Sequence, residues 1–235
     1  MIEGVDRCCA ILPALDEADA LPATLAGRPE GLRVLVVDNG SRDGTPDVAR
    51  ALGAEVVHEP RRGYGTACWR GAVAAEGADV LVYLDADGSL SWDDFPAVAS
   101  PVLAGAADVV VGRRCRALRE RGAMPWHAAV ANALLARLCG LLSGVRLRDI
   151  GPYRAVRRDQ LLALGMRDRT YGWPLEMLLR AGRAGWRVRE VPVRYGTRAG
   201  GRSKVSGRPW PTVKTGAKMT WVLLRHATTT RRGGA

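Results

Sequence analysis

The chain has 235 residues, 47% hydrophobic and 25% charged, ordinary for a soluble globular protein with one large core or two small ones. Its net charge of +11 hides an asymmetry: residues 1–112 hold 8 arginines against 18 acids (net −10), while residues 113–235 hold 27 Lys+Arg against 6 acids (net +21). No uninterrupted apolar run reaches the roughly 18 residues of a membrane span, so the basic half calls instead for an anionic partner: nucleic acid, a membrane surface or a phosphorylated substrate.

The opening Met1-Ile2-Glu3-Gly4-Val5-Asp6 has neither the basic nor the apolar region of a secretory signal, so a cytoplasmic location is expected. The five cysteines (Cys8, Cys9, Cys68, Cys115, Cys139) form no C-x-x-C pair and read as reduced thiols filling core space. His58, His127 and His226 are too scattered for a metal motif.

Short apolar strands alternate with helical stretches through the first half. Strands are expected at Arg7–Leu12, Leu32–Val37, Glu55–His58, Val80–Leu84 and Asp108–Val111. Between them come helices at Ala18–Ala26, Thr45–Leu52, Gly65–Ala75 and Trp92–Leu103, with Asp43 or Thr45 available to cap the second. Such alternation predicts an α/β fold, a mostly parallel sheet with helices on both faces.

Polar clusters follow the strands. Asp16 and Glu17 come after the first, Asp38 and Asn39 after the second, and Asp85 and Asp87 after the fourth. Ligands of open α/β sheets bind beyond the carboxyl ends of the strands. In an extended segment Asp85 and Asp87 would point the same way, and two carboxylates so close favour a divalent cation with oxygen preference. An ordinary Asp-Gly turn after a strand is the alternative. The dinucleotide fingerprint G-x-G-x-x-G and the phosphate loop G-x-x-x-x-G-K-[ST] are both missing. Gly63-Tyr64-Gly65 is a lone G-x-G, as compatible with a helix start as with phosphate binding.

Three of these segments, Pro13-Ala14-Leu15-Asp16-Glu17, Val37-Asp38-Asn39-Gly40-Ser41-Arg42-Asp43-Gly44-Thr45 and Asp85-Ala86-Asp87-Gly88, resemble family 2 glycosyltransferases of the GT-A fold in order and spacing. Asp149-Ile150-Gly151-Pro152-Tyr153-Arg154, Tyr171-Gly172-Trp173-Pro174-Leu175-Glu176-Met177, Glu190-Val191-Pro192-Val193 and Gly201-Arg202-Ser203-Lys204 continue the match. The set is similar to the branch of dolichyl- and polyprenyl-phosphate sugar synthases. The resemblance spans roughly residues 5–210 and implies a glycosyltransferase domain over 1–207. Within it, residues 1–112 would take the nucleotide-sugar and 113–207 the acceptor, followed by a C-terminal amphipathic helix and tail over 208–235.

That resemblance implies roles residue by residue. Pro13, Leu15 and Glu17 match the nucleotide pocket, with Gly63 on the donor side, and Asp38 and Asn39 match positions that recognise base and ribose. Asp85-Ala86-Asp87 matches the D-x-D motif that holds Mg²⁺ or Mn²⁺ on the diphosphate of a UDP- or GDP-sugar. Asn39 stands where a second Asp is more frequent, and Asp16 where Asn is usual. Arg113, Arg114, Arg154, Arg198, Arg202 and Lys204 match basic positions serving a phosphate-bearing acceptor, and guanidinium forks suit phosphate oxygens. Surface solvation is the competing use for any one of 32 arginines.

Glu176 has three readings: general base, acceptor positioning, or an i, i+4 ion pair with Arg180. Asp149 either orients Arg154 or is structural. The implied activity is metal-dependent, inverting transfer of a sugar to a polyprenyl phosphate, with Asp87, Glu176 and Arg154 as the catalytic candidates. The alternatives are a soluble small-molecule acceptor and, in another class, a basic nucleic-acid-binding module; the latter lacks any recognised motif or aromatic array, and nucleic acid is not an expected partner.

Two segments suit peripheral membrane contact. Pro125–Leu142 reads as a mostly apolar helix, and Pro209–Arg225 places Trp210, Val213, Ala217, Trp221 and Leu224 near one helical face. Packing on the core or on a second copy in a homodimer is the other use of such a face.

Overall fold

The computed structural model describes residues 3–200 and Met219. Seven strands form one sheet: β1 (Cys8–Ala14), β2 (Arg33–Asp38), β3 (Glu55–His58), β4 (Val80–Tyr83), β5 (Val109–Arg113), β6 (Arg154–Arg157) and β7 (Val188–Pro192). Their order across the sheet is β3-β2-β1-β4-β6-β5-β7. Only β6 runs against the rest, pairing antiparallel with β4 on one side and β5 on the other. The sheet is therefore mixed, and it passes without a break from the acidic half into the basic half.

Val, Leu, Ile, Ala and Cys fill the strands because both sheet faces are covered. One face carries α3 (Tyr64–Ala74), α5 (Trp126–Ser143), α6 (Arg158–Ala163) and α7 (Trp173–Arg183), packed around Ile11, Tyr83, Val111, Trp173 and Leu178. On the other lie α1 (Leu21–Leu25), α2 (Thr45–Ala51) and α4 (Phe95–Leu103), around Leu12, Val36, Phe95 and Val98. The expected elements recur with shifted ends. The helix expected at Ala18–Ala26 shrinks to Leu21–Leu25, and the one expected from Trp92 opens as a 3-10 turn over Trp92–Asp94.

Four cysteines are buried as expected, and Cys115 is half-exposed. Burial raises the thiols of Cys8 and Cys9 to about 11 and about 12, so both stay protonated and inert at neutral pH.

Helix α5 is less well covered than the others. Ala136 and Cys139 are its buried side chains, while Trp126, Val130, Leu134, Leu138 and Leu141 form an exposed apolar stripe, the outermost two 78% exposed. No helix among the described residues is long and apolar enough to cross a membrane. The amphipathic helix expected over 208–235, with its Trp210 and Trp221, lies outside the described residues apart from Met219.

Candidate active site

Because β1, β2 and β4 run parallel, their carboxyl ends share one edge, where Ala14 sits opposite Asp38 and Asp38 opposite His58. Two loops at that edge are stitched together. The backbone N–H groups of Asp16, Glu17 and Ala18 donate to Ser41 Oγ, Thr45 Oγ1 and Asp43 Oδ2 at 2.9–3.0 Å. Arg42 N returns a bond to Asp16 Oδ1 at 2.7 Å. This locks Asp16 in a left-handed conformation (φ 50°), which Asp tolerates better than most residues. Pro13 and Leu15 are half-buried beside it, and Glu17 is buried.

Asp38 is buried, with His58 Nδ1 3.0 Å from its Oδ2 and Ser41 N donating to its Oδ1 at 3.1 Å. Burial opposes its charge, but the bonds from Ser41 and His58 outweigh that and hold the carboxyl below its usual range. Asn39 is committed to architecture. Its Nδ2 donates to the carbonyls of Glu59 and Arg61, and its Oδ1 accepts from Gly63 N at 2.7 Å. The side chain matched to base or ribose recognition therefore holds the loop between β3 and α3. Gly63 likewise serves a close approach: its φ is +148°, and any Cβ there would strike the Arg169 carbonyl.

Strand β4 ends at Tyr83, so Asp85 and Asp87 sit in the turn after it and not on an extended strand as expected. They remain close. Burial and then the charge of Asp87 push the Asp85 carboxyl well above its usual range. Tyr64 Oη, at the start of α3, donates to Asp85 Oδ1 at 3.4 Å. Asp87 Oδ1 accepts from Ser89 N at 3.0 Å, and the buried Ser89 hydroxyl has no partner among the described residues. Ala86 is buried, its carbonyl bonded to Thr24 Oγ1.

Arg198, matched to the acceptor, lies instead on two acids matched to the donor. Its Nη1 is 2.8 Å from Asp87 Oδ2 and its Nη2 is 2.6 Å from Glu17 Oε2. A cation thus already stands against the D-x-D carboxylates. Among the described residues no three His, Cys, Asp or Glu side chains cluster as metal ligands. Mg²⁺ and Mn²⁺ do not require that, since one or two carboxylates with water and substrate phosphates suffice. The crowded Asp85–Asp87 pair with the unpartnered Ser89 hydroxyl fits such an ion.

Beyond β4 the same edge turns basic. A cavity of about 260 Å³ is lined by Arg113, Arg114, Arg116, Arg119 and Arg148, with Ala129 and Asn132 of α5 closing one side. Asp149 holds Arg114 through both oxygens, and Asn132 Nδ2 donates to the same carboxylate. Glu190 on β7 accepts from the backbone N–H groups of Arg148 and Asp149 at 2.6 and 2.8 Å, fixing that turn. Among the described residues, the guanidinium groups of Arg113, Arg116 and Arg148 meet no carboxylate.

Three other matched residues serve different ends. Arg154 is 1% exposed on β6 and donates to the carbonyls of Gly151 and Pro174. Burial lowers its guanidinium to about 10, still charged at neutral pH. Glu176 is buried in α7, where Oε1 pairs with Arg180 at 2.7 Å and Oε2 accepts from the N–H groups of Arg167 and Asp168. The ion-pair reading holds, and both oxygens are occupied inside the fold. Asp149 orients Arg114, not Arg154. Arg202 and Lys204 lie outside the described residues.

Several neighbours escaped the sequence reading: Tyr64, Ser89, Arg116, Arg119, Asn132, Arg148 and Tyr195. Asn132 carried a signal, as the one amide in an apolar helix. Tyr195, whose ring lies 5.2 Å from the Arg114 guanidinium, carried none.

The sequence matches the family model described as "Glycosyl transferase family 2" over residues 9–206. It is 45% identical over 204 residues to an uncharacterised glycosyltransferase of Mycobacterium tuberculosis, covering 86% of this chain and 91% of that one. It is 34% identical over 223 residues to an undecaprenyl-phosphate mannosyltransferase of Micrococcus luteus, covering 86% and 88% respectively. Among solved structures it resembles glucosyl-3-phosphoglycerate synthase from Mycobacterium tuberculosis in complex with Mn²⁺, UDP-glucose and phosphoglyceric acid. That likeness has a TM-score of 0.69 at 25% identity and covers 93% of this chain and 79% of that one. The chain belongs to glycosyltransferase family 2 and has the GT-A fold. It is an enzyme, and its acid-lined and arginine-lined loops sit along one sheet edge.

Proposed function

We propose that this glycosyltransferase moves a hexose from a UDP- or GDP-sugar to a polyprenyl phosphate, with inversion at the anomeric carbon. Carrying that reading is the arginine-lined cavity beside the D-x-D turn, closed on one side by α5, whose opposite face is an exposed apolar stripe. A ligand with a phosphate head and a hydrocarbon tail matches both features, and so does a lipid surface against α5. The relative from Micrococcus luteus, named for undecaprenyl phosphate, supports the same class.

In this reading the donor lies over the loops after β1, β2 and β4, with Pro13, Leu15, Glu17 and Asp38 along the nucleoside and Asp85 and Asp87 holding Mg²⁺ or Mn²⁺. Such an ion supplies positive charge against the departing diphosphate; the solved neighbour bound Mn²⁺ with UDP-glucose. Arg113, Arg116 and Arg148 hold the acceptor phosphate, with Arg114 kept in register by Asp149. An acceptor phosphate oxygen attacks the anomeric carbon as the bond to the donor's phosphate oxygen breaks, and that electron pair leaves with the nucleoside diphosphate. A phosphate nucleophile is already an anion at neutral pH, so no general base is needed. Glu176 is accordingly free to be structural.

A second reading, transfer to a small soluble phosphate-bearing acceptor, is favoured by the solved neighbour with phosphoglyceric acid bound. The test offers the protein Mn²⁺ and radiolabelled UDP- and GDP-hexoses, with undecaprenyl phosphate in detergent or with phosphoglycerate. Label extracted into butanol only with the lipid present supports the proposal. Label that stays in water-soluble product with phosphoglycerate, and none in butanol, replaces it with the second reading.

A further inference from the structure

The segment after β7 is folded onto the D-x-D turn. Gly196 N donates to Ser89 O at 2.8 Å and Ala199 N donates to Asp87 O at 2.9 Å. Gly88 permits this contact: its φ is +75°, and a Cβ at that position would collide with the Ala199 side chain. Two backbone bonds thus set Arg198 over the acids. Its guanidinium spans Glu17 Oε2 and Asp87 Oδ2, while its buried Nε has no partner among the described residues. One guanidinium therefore bridges a carboxylate of the matched nucleotide pocket and a carboxylate of the matched cation site. No other arginine among the described residues forms an ion pair with Asp87.

We propose that Arg198 is a positioning residue that makes divalent-cation binding conditional on the nucleotide diphosphate. Asp87 Oδ2 serves a guanidinium donor or a divalent cation, and the two positive charges repel if both sit on it. A cation arriving alone must displace Arg198 from Asp87, which leaves the guanidinium facing the new positive charge with Glu17 as its remaining carboxylate partner. A cation arriving with a diphosphate brings new acceptors. Arg198 then turns from Asp87 to the phosphate oxygens, keeps Glu17, and fills its unused Nε donor. The exchange is one of contacts alone, with no covalent step. Arg198 thereby keeps Asp87 ordered before the donor arrives and screens out adventitious ions.

This inference rests on the reading of Asp85 and Asp87 as the cation site, and its test keeps the two apart. Mn²⁺ binding to the purified chain is measured by electron paramagnetic resonance, alone and with UDP or GDP. Wild type should bind Mn²⁺ weakly alone and at least about tenfold more tightly with one of the nucleotides. Arg198→Ala should bind Mn²⁺ alone about tenfold more tightly than wild type, with most of the nucleotide enhancement gone. Arg198→Lys, which keeps a cation but loses the fork, should fall between, and it serves as the second variant if alanine unfolds the loop. Equal Mn²⁺ affinity without nucleotide in wild type and both variants overturns the inference and leaves the cation site standing. No Mn²⁺ binding in any protein, with or without nucleotide, overturns both.

Discussion

Asp149 grips Arg114 with both carboxylate oxygens, at 3.0 Å to Nε and 2.8 Å to Nη2, and also accepts the Arg114 backbone N–H at 2.7 Å. Both side chains are largely buried, 13% and 6% exposed. Burial opposes the Asp149 charge, but the bonds and charge of Arg114 hold its carboxyl below the usual range. This pair fixes one wall of the basic cavity. Asp149→Asn should cost about 3 kcal/mol, as breaking a buried pair leaves an uncompensated charge. It should also raise the acceptor KM while leaving the donor KM alone. Denaturant unfolding and steady-state kinetics check the two halves, and an unchanged acceptor KM would contradict the positioning role.

Glu176 gives a sharper contrast between function and architecture. Its oxygens brace Arg180 and the turn before α7, so Glu176→Gln should destabilise the fold by about 1–3 kcal/mol. The pH profile of kcat should keep its shape. Loss of the low-pH limb of that profile in the variant, where a catalytic carboxylate would be protonated, would restore the base reading.

The fold was largely legible. Apolar strands with acids at their ends predicted the parallel part of the sheet, because strand burial and edge position leave a periodic trace in the residues. Strand β6 left none: Arg154-Ala155-Val156-Arg157 is short and half basic, and its antiparallel place between β4 and β5 depends on partners distant in sequence. The acids at the strand ends were visible for the same reason as the strands. The partners of Arg154 and Arg198 were not legible because an arginine in a motif looks alike whether it faces a ligand, a carbonyl or an acid. Their partners are 20 residues away at Pro174 for Arg154, and 111 and 181 residues away for Arg198.

The exposed stripe of α5 leads to a third expectation. Leu134 and Leu141 are 58% and 78% exposed, so replacing both with Glu removes apolar surface without disturbing the core. Cosedimentation with anionic phospholipid vesicles should fall several-fold. Turnover of a short-chain, water-soluble prenyl phosphate should stay at the wild-type rate. Undiminished vesicle binding would remove α5 from the membrane account.

Asp108 offers a test of electrostatics away from the site. Hydrogen bonds from Arg187 lower its carboxyl from 3.8 to about 2, against the opposing effect of burial. A folded-state value below the unfolded one stabilises the protein above the unfolded value, and that contribution drains away as pH falls through the folded one. Asp108→Asn should therefore unfold more easily than wild type at neutral pH, with the two curves converging between 3.8 and about 2. Parallel curves across that window would contradict the assignment.

Asp85 and Asp87 carry the account's central claim, that the turn after β4 holds the donor diphosphate through a divalent cation. The most direct measurement is hexose transfer to undecaprenyl phosphate by wild type, Asp85→Asn and Asp87→Asn, each with Mn²⁺ and with excess chelator. Wild type should lose activity on chelation and regain it with Mn²⁺. Each variant should retain the fold by circular dichroism and fall by about 100-fold or more in kcat, the scale of losing a key electrostatic contact to a developing charge. Wild-type rates in both variants, or transfer indifferent to chelator, would contradict the claim.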